Sequence, residues 1–326
     1  MRVVIPGGSG QVGTVLARAF HAAGHHVVIL SRRPTAAPWR VVEWDAQGAG
    51  SWTSELEGAD AVINLAGRSV NCRYTASNRQ AILSSRVEST RAIGVAIARA
   101  RQPPTAWLQM STATIYSHRF DAPNDECTGV LGGTERDAPD SWRFSIEVAN
   151  AWEAAAAEIP TPQTRKVLLR SAMVMSPDRG GIFDTLLQLV RLGLGGRAGS
   201  GRQYISWIHD TDFVRAIFWL LGHERMVGAV NLAAPGPVPN AEFMRALRHA
   251  SGMPIGLPAT EWMVAIGAMA MRTETELVLK SRRVVPGRLQ AEGFAFDFPE
   301  WLPAGRELYH RWRATPVTSS ATARGA

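Results

Sequence analysis

The chain opens with Met1-Arg-Val-Val-Ile-Pro-Gly-Gly-Ser-Gly-Gln-Val-Gly13, and this stretch decides the fold. It begins with a predicted β-strand, Arg2–Ile5, whose residues are mainly β-branched. Three glycines follow the strand, and from Gln11 onward apolar residues recur with helical spacing. A strand, a glycine turn and a helix N-terminus together form an anion site, because backbone N–H groups and the helix dipole point at one place. The stretch therefore predicts the pyrophosphate-binding turn of a dinucleotide fold.

The second predicted strand, His26–Leu30, ends in Ser31-Arg32-Arg33. Dinucleotide folds that bind NAD(H) carry an acidic residue here, which hydrogen-bonds the adenosine ribose hydroxyls. This chain has a hydroxyl and two guanidiniums instead, a combination that suits a ribose 2′-phosphate. We therefore expect NADP(H) as the cofactor in preference to NAD(H). The alternative is that Arg32 and Arg33 only solubilise a loop.

Composition and charge limit the classes of partner. The 326 residues suit one large domain or two unequal ones, and 46% are hydrophobic and 19% charged, as in ordinary globular proteins. The formal charge is +7, but the sequence has no dense basic run, so no nucleic-acid partner is expected. Of the 35 basic residues only Lys166 and Lys280 are lysines. Cys72 and Cys127 lack metal-ligand spacing, so no metal site is expected.

The longest apolar stretch, Trp262–Met271, is far shorter than a membrane span. We expect a buried or pocket-lining helix there and no membrane partner. The first strand begins at once, with no targeting segment before it, and two cysteines provide no disulfide framework. A cytoplasmic location is therefore the expectation.

Strands and helices alternate through the first half of the chain, which predicts an α/β fold with a doubly wound parallel, Rossmann-like sheet. The predicted strands are Arg2–Ile5, His26–Leu30, Arg40–Trp44, Ala61–Leu65, Ala106–Ser111 and Lys166–Arg170, and the main helices begin at Gln11, Asn78, Asp140, Thr211, Asn240 and Glu261. We expect a dinucleotide-binding domain over residues 1–170 and a smaller, mostly helical substrate-binding subdomain over 171–314, partly interleaved with the first. Residues 315–326 are small and polar and are expected to form a disordered tail.

Several further motifs occur in a fixed order. They are Asn64-Leu-Ala-Gly67, Ser84-Ser-Arg-Val-Glu-Ser-Thr90, Ser111-Thr-Ala-Thr-Ile-Tyr116, Leu169-Arg170 with Ser176-Pro177, Gly199–His209 with Asp212, Gly228-Ala-Val-Asn231 and Arg283–Phe294. With the glycine turn they resemble the extended short-chain dehydrogenase/reductases, and within them an atypical branch of NAD-dependent epimerase/dehydratase-like proteins. The likeness spans about residues 1–300.

The resemblance and the glycine turn together imply a set of cofactor-binding residues. These are Gly7, Ser9, Gly10, Gln11, Val12, Ser31, Arg32, Arg33, Leu65, Ala66, Gly67, Ser111, Ser171 and Ala172. By the resemblance, Asn64–Gly67 passes the adenosine ribose and pyrophosphate, and Ser171 and Ala172 lie beside the nicotinamide. Thr112 matches the hydroxyl residue that bonds the reacting oxygen. The alternatives are a satisfied strand-end amide at Asn64 and a local backbone hydrogen bond at Thr112.

The chain departs from this family at the residues that move the proton. Extended members carry Tyr-x-x-x-Lys on the helix after the fifth strand, where the lysine lowers the pKa of the tyrosine and the tyrosine exchanges a proton with the reacting oxygen. Here Phe144 and Val148 occupy those two positions, and neither side chain can transfer a proton.

Three functions therefore stay open. The preferred one is an NADP(H)-dependent reductase or epimerase acting on a small metabolite with relocated acid/base residues. The others are a non-redox enzyme on the same fold and a catalytically inactive NADP(H)-binding sensor or scaffold. Thr112, Tyr116 and His118 are the catalytic candidates, with Tyr74 and His209 as further ones. A packing role for Tyr116 and an exposed loop position for His118 are the alternatives.

The substrate is a small molecule of unspecified identity. The glycine-rich loop Gly193–Gly201 is expected on the substrate side, and Arg73, Tyr74, Arg202 and Trp207 are the predicted substrate-binding residues. Arg202 could hold an anionic group or be a surface arginine. A homodimer is left open as an assembly.

Overall fold

A sheet of seven parallel strands forms the centre of the molecule. The computed structural model describes residues 1–135, 138–270 and 273–315. Its strands are β1 (Arg2–Pro6), β2 (His26–Ser31), β3 (Arg40–Glu43), β4 (Ala61–Asn64), β5 (Ala106–Thr112), β6 (Arg165–Ser171), β7 (Met173–Met175), β8 (Tyr204–Ile205), β9 (Trp207–His209), β10 (Gly228–Leu232) and β11 (Val238–Pro239). The main sheet has the strand order β10-β6-β5-β4-β1-β2-β3. Two short pairs, β7 with β9 and β8 with β11, lie outside it.

Helices flank the sheet and build the C-terminal region. They are α1 (Gln11–Ala22), α2 (Ala76–Arg99), α3 (Asp140–Ala157), α4 (Ile182–Arg191), α5 (Asp210–Gly222), α6 (Asn240–Ser251), α7 (Glu261–Ala270), α8 (Glu276–Leu279), α9 (Gly287–Ala291) and α10 (Trp301–Ala314). On one face of the sheet, α1 and α5 bury Phe20 and Phe213. On the other, α2 and α3 bury Ile93 and Ala156 against Trp107 of β5.

A second core holds the C-terminal region together. It lies between β7, β9 and the helices α4, α6 and α10, with Phe183, Phe243 and Trp301 buried at its centre. The rings of Phe243 and Trp301 stack with centroids 4.0 Å apart. The loops that join this region to the main sheet meet the carboxyl ends of β4, β5 and β6, which is where ligands bind in open α/β sheets.

The prediction of a Rossmann-like parallel sheet is confirmed, and the six predicted strands agree with the observed ones to within one residue at each end. The seventh strand, β10, was not predicted; it pairs with β6 and so brings part of 171–314 into the main sheet. The division at residue 170 stays a prediction. The predicted tail lies outside the described residues from position 316 onward.

Of the two alternatives for the apolar helix, a buried helix or a pocket-lining one, the buried helix is wrong. The apolar helix predicted over Trp262–Met271 forms as α7, with Met271 outside the described residues, but its side chains are mostly on the surface. Trp262 is 65% exposed and Met269 is 67% exposed. The reason is that α4, α6 and α10 fill the C-terminal core, to which none of the α7 side chains that the structure describes belongs.

Candidate active site

The glycine turn after β1 is built by close contacts between backbones. Gly7 has φ +74°, and a Cβ there would lie 2.7 Å from Ala66 Cα. A Cβ at Gly13 would lie 2.4 Å from Gly8 Cα. At Gly10, by contrast, the only neighbouring atom is the Gly7 carbonyl oxygen at 3.6 Å. Gly7 and Gly13 are therefore needed for the turn itself, whereas the outer side of Gly10 is open to a ligand.

The N-terminus of α1 has the properties of an anion site. No side chain caps it, and its first turn carries no acidic residue. Ser9 and Gly10 are exposed in front of it, and the buried Nε2 of Gln11 has no hydrogen-bond partner among the described residues. Uncapped N–H groups and an unpaired amide suit a pyrophosphate, so the residues present fit a dinucleotide.

The end of β2 presents two unpaired guanidiniums. The Ser31 hydroxyl donates to Ser9 Oγ at 3.1 Å, which joins this strand end to the glycine turn. Arg32 and Arg33 are exposed. In the described part of the chain neither guanidinium forms a hydrogen bond or an ion pair. Both are free to contact an anionic group beside the glycine turn.

The segment after β4 lies against the same turn. Asn64 is fully buried; its Oδ1 accepts from the Ala66 N–H at 3.1 Å and its Nδ2 donates to Gln109 at 2.9 Å. These bonds fix the backbone from Leu65 to Gly67, the latter exposed at the surface. The side-chain amide of Asn64 is thus satisfied within the protein, and its hydrogen bonds shape this backbone.

A buried hydrogen-bond network lies behind the end of β5. The Ser111 hydroxyl donates to Glu153 at 2.6 Å, and Arg170 donates to Glu153 and to the Tyr116 hydroxyl. Tyr116, only 2% exposed, donates in turn to Asn231 Oδ1 at 2.9 Å. Burial raises the pKa of Tyr116. The hydroxyl proton of Tyr116 is used in a hydrogen bond within the protein, so Tyr116 is not one of the proposed catalytic residues.

The loop that follows β5 is more accessible. Thr112 is half-buried, and its Oγ1 accepts from the Thr114 N–H at 3.2 Å, which leaves its own proton free for a ligand. Ser171 and Ala172, at the end of the neighbouring strand β6, are also half-buried. Adjacent parallel strands end at the same sheet edge, so these three residues lie together near the expected nicotinamide position.

His118 lines a cavity of about 590 Å³ beside this loop. Its Nδ1 accepts from the Ser281 N–H at 2.8 Å, so the neutral ring carries its proton on Nε2. Burial, and then the positive charge of Lys280, lower the pKa of His118. Its ring packs against Trp142, with centroids 4.6 Å apart, and edge-on against Phe120. The lining of the cavity thus combines the aromatic rings of Phe120 and Trp142 with a neutral imidazole and the carboxylates of Glu135 and Glu261.

The positions of the missing tyrosine and lysine are buried and apolar. Phe144 and Val148 pack with Ile82 of α2. Tyr74, a predicted substrate residue, packs edge-on against Phe144 at 5.1 Å, and burial is the main reason that its pKa rises to about 12. Arg73 donates to the carbonyl of Thr273 at 3.0 Å. The loop after β4 is thereby tied to the C-terminal segment.

Three other predicted residues lie in different surroundings. Arg202 is exposed and lines a second cavity of about 430 Å³, which shares Phe120 with the first. Trp207 is fully buried and donates to the Gly236 carbonyl at 3.1 Å, so a substrate contact is not supported. His209 is fully buried, caps α5 and bonds Glu307 at 2.8 Å, which is a structural position.

Sequence analysis missed a charged cluster from the C-terminal segment. Arg282 pairs with the buried Glu276 at 2.5 Å and donates to Thr114 Oγ1 at 3.0 Å. Lys280 donates to the Thr114 carbonyl at 2.7 Å, and Glu276 accepts from Ser145 at 2.9 Å. The one available signal was the rarity of lysine, since the contacts with Thr114 and Ser145 span more than 130 residues and leave no local pattern.

The fold and the open glycine turn define a nucleotide-binding α/β protein of the epimerase and dehydrogenase type. Residues 3–233 match the model of the NAD dependent epimerase/dehydratase family, and residues 259–308 match a domain of unknown function, DUF1731. The chain therefore belongs to the NAD dependent epimerase/dehydratase family.

Relatives and solved structures of this family cover nearly the whole chain. The "Epimerase family protein SDR39U1" of Bos taurus is 36% identical over 94% of this chain and 99% of its own length, and that of Homo sapiens is 34% identical over the same shares. The crystal structure of human epimerase family protein SDR39U1 (isoform2) with NADPH has a TM-score of 0.82 and 32% identity, covering 95% of this chain and 99% of that one. A nucleoside-diphosphate sugar epimerase from Corynebacterium glutamicum has a TM-score of 0.72 and 26% identity, covering 96% of this chain and 61% of that one.

Among the residues described, none of the helices combines the length and apolar content that crossing a membrane requires. The same residues contain no group of three or more His, Cys, Asp or Glu that could hold a metal ion.

Proposed function

We propose that this protein is an NADP(H)-dependent enzyme, a reductase or an epimerase, that acts on a small carbonyl or alcohol metabolite. The cofactor would lie across the turn from Gly7 to Val12, with its pyrophosphate at the N-terminus of α1. The solved structure of a 32%-identical relative with NADPH supports this choice of cofactor. A bound nicotinamide supplies or accepts a hydride, and the residues of the chain must handle the matching proton.

The preference for the 2′-phosphorylated cofactor rests on Arg32 and Arg33. Both are exposed, and neither has a partner among the residues that the structure describes. They follow Ser31, whose hydroxyl bonds the glycine turn. Guanidiniums bind phosphate through charge-assisted, often bidentate hydrogen bonds. No acidic residue occupies positions 31–33, where folds that bind NAD(H) place a carboxylate to hold the two ribose hydroxyls.

The observation that carries the enzymatic proposal is the cavity at His118. It opens beside the loop after β5, where Thr112 has a free hydroxyl, and its aromatic walls suit an apolar or planar substrate. His118 is neutral at pH 7 because its pKa is lowered, and it presents an Nε2–H donor. Thr112 and His118 are thus the proposed residues that hydrogen-bond the reacting oxygen and orient it.

Consumption of NADPH tests this proposal with a panel of aliphatic and aromatic aldehydes and ketones that includes phenanthrenequinone. We expect His118→Ala and Thr112→Ala to lower turnover by roughly 10²–10³-fold, the usual cost of removing one hydrogen-bond donor to a developing oxyanion. Tyr116→Phe should lower stability and keep the rate, and His310→Ala, an exposed histidine on α10, is the matched control. NADPH binding without consumption of any carbonyl, or parental rates in both alanine variants, would refute the catalytic proposal.

A further inference from the structure

The two lysines of the chain lie in different surroundings. Lys166 donates to two carbonyls at the end of α3, and its Nζ lies 4.8 Å from the Trp107 ring centroid, so its donors are satisfied. Lys280 is only 2% exposed, and among the described residues its Nζ donates to the Thr114 carbonyl alone. An ammonium has three N–H donors, and burying them without acceptors is costly. Lys280 therefore has capacity for a further acceptor.

Lys280 also lies close to the proposed active site. Thr114 lies two residues beyond Thr112, on the loop that follows β5. The two sequence neighbours of Lys280 reach the larger cavity: Leu279 lines it, and the Ser281 N–H donates to Nδ1 of His118, which also lines it. The ammonium is thus adjacent to the loop and the cavity that would hold a substrate.

We propose that Lys280 binds the reacting oxygen of the substrate and gives it the proton that a carbonyl takes up on reduction. This assignment rests on the proposed function. It places the proton source on the C-terminal segment, in contrast to α3, where Phe144 and Val148 cannot serve.

The choice of lysine at this position supports proton transfer. All but two of the 35 basic residues are arginine, and arginine does not lose its proton in proteins. Burial, followed by the charge of Arg282, lowers the pKa of Lys280 to about 8, while Glu276 and Glu135 act in the opposite direction. The charged and titratable groups described around the ammonium are therefore Arg282, Glu276, Glu135 and His118.

The proposed step balances in atoms and charge. A bound reduced nicotinamide dinucleotide would supply a hydride, one proton with two electrons, to the carbonyl carbon and would become oxidised, while the C=O π electrons move to the oxygen. One N–H bond of the Lys280 ammonium breaks and an O–H bond forms at the substrate oxygen. Lys280 becomes a neutral amine and regains a proton from water in the cavity.

Nuclear magnetic resonance on protein labelled only at lysine tests the binding part. The probe is 2-naphthoate, whose carboxylate offers the missing acceptor and whose ring suits the aromatic cavity. The variant Lys166→Arg leaves a single lysine signal and so assigns the spectrum. Millimolar naphthoate should shift the Lys280 signal and raise its pKa, because an opposite charge favours the ammonium, while the Lys166 signal of the parent stays in place. A Lys280 signal that naphthoate does not move would overturn the assignment.

Two substitutions separate binding from proton donation. Lys280→Arg should still bind naphthoate, but its NADPH-dependent carbonyl reduction at pH 7 should fall by roughly 10²-fold or more because the guanidinium keeps its proton. Lys280→Met should lose both properties, and Lys166→Arg should keep both. Parental carbonyl reduction by Lys280→Met would overturn the proposal.

The outcomes distinguish this inference from the function on which it rests. If naphthoate shifts the Lys280 signal while the parent reduces no carbonyl, the proposed function fails and the oxygen-binding assignment stands. If the parent and Lys280→Met reduce carbonyls equally well, the function stands and the role of Lys280 is refuted.

Discussion

Gly10 differs from the other glycines of the first turn in the space around it. A Cβ there would contact only the Gly7 carbonyl oxygen, at 3.6 Å, so Gly10→Val should fold. The added side chain would occupy the face that the pyrophosphate approaches, and dinucleotide binding should be abolished. Circular dichroism and fluorescence titration with NADPH measure the two effects separately.

Gly13→Val is the matched control for this prediction. Its Cβ would lie 2.4 Å from Gly8 Cα, so this variant should unfold at lower temperature or fail to fold. A folded Gly10→Val protein with parental NADPH affinity would show that the turn is only structural.

The buried ammonium of Lys280 predicts a pH dependence of stability. Its pKa is lowered from 10.5 to about 8 in the folded protein, so between these values the unfolded chain binds more protons. The destabilising effect of the charge is complete below pH 8 and is relieved as the pH rises toward 10.5. The parent should therefore gain roughly 3 kcal/mol relative to Lys280→Met between pH 7 and 10.5. Urea unfolding at several pH values measures this difference, and a constant difference would contradict it.

The roles of residues could be predicted where the signal is local in sequence, and could not where it depends on long-range contacts. The glycine turn and Ser31-Arg32-Arg33 are short stretches whose chemistry follows from their position after a strand. The burial of Tyr116 and Trp207 depends on partners more than 25 residues away, Asn231 and Gly236 respectively, and the sequence alone does not show them. Lys280 meets Thr114 across 166 residues for the same reason.

At the scale of elements, α3 allows a direct test of the missing pair. Phe144 and Val148 are 7% and 5% exposed and pack between α2 and α3. Restoring Phe144→Tyr and Val148→Lys together should not raise turnover, because the proposed proton donor lies elsewhere. The double variant should also lose stability by at least 1–3 kcal/mol, on the order of the cost of an unsatisfied buried polar group.

Thermal unfolding and NADPH consumption check this double variant. Phe144→Tyr alone is the milder comparison, since it adds only a hydroxyl. A large gain in turnover on restoring the pair would indicate that the chemistry does belong to α3 and would contradict the assignment of the acid/base residues to the cavity.

The elements of the first half were predictable because buried parallel strands are continuous apolar runs between helical patterns. The helix α10 was not, since Pro303 and Gly305 near its start lower its intrinsic helix propensity. Tertiary packing of Trp301 and Leu308 in the C-terminal core supplies the stability that local propensity lacks. The exposure of α7 has the same origin, because α10 fills that core.

For the whole molecule, the Rossmann-like sheet and the C-terminal region share one set of loops at the carboxyl edge of the sheet. The C-terminal segment contributes Glu276, Lys280 and Arg282 to these loops. The division into two domains remains a prediction, and the homodimer remains open. Sedimentation velocity measures the state of assembly.

The central claim is that the chain is built to hold NADP(H), and calorimetric titration of the purified protein with NADPH and with NADH tests it most directly. We predict tighter binding of NADPH, by on the order of 1.5–3 kcal/mol for each good charge-assisted contact. The double variant Arg32→Ala, Arg33→Ala should lose much of this preference, whereas Arg225→Ala, an exposed arginine before β10, should keep it. Equal affinities of the parent for NADPH and NADH would contradict the account.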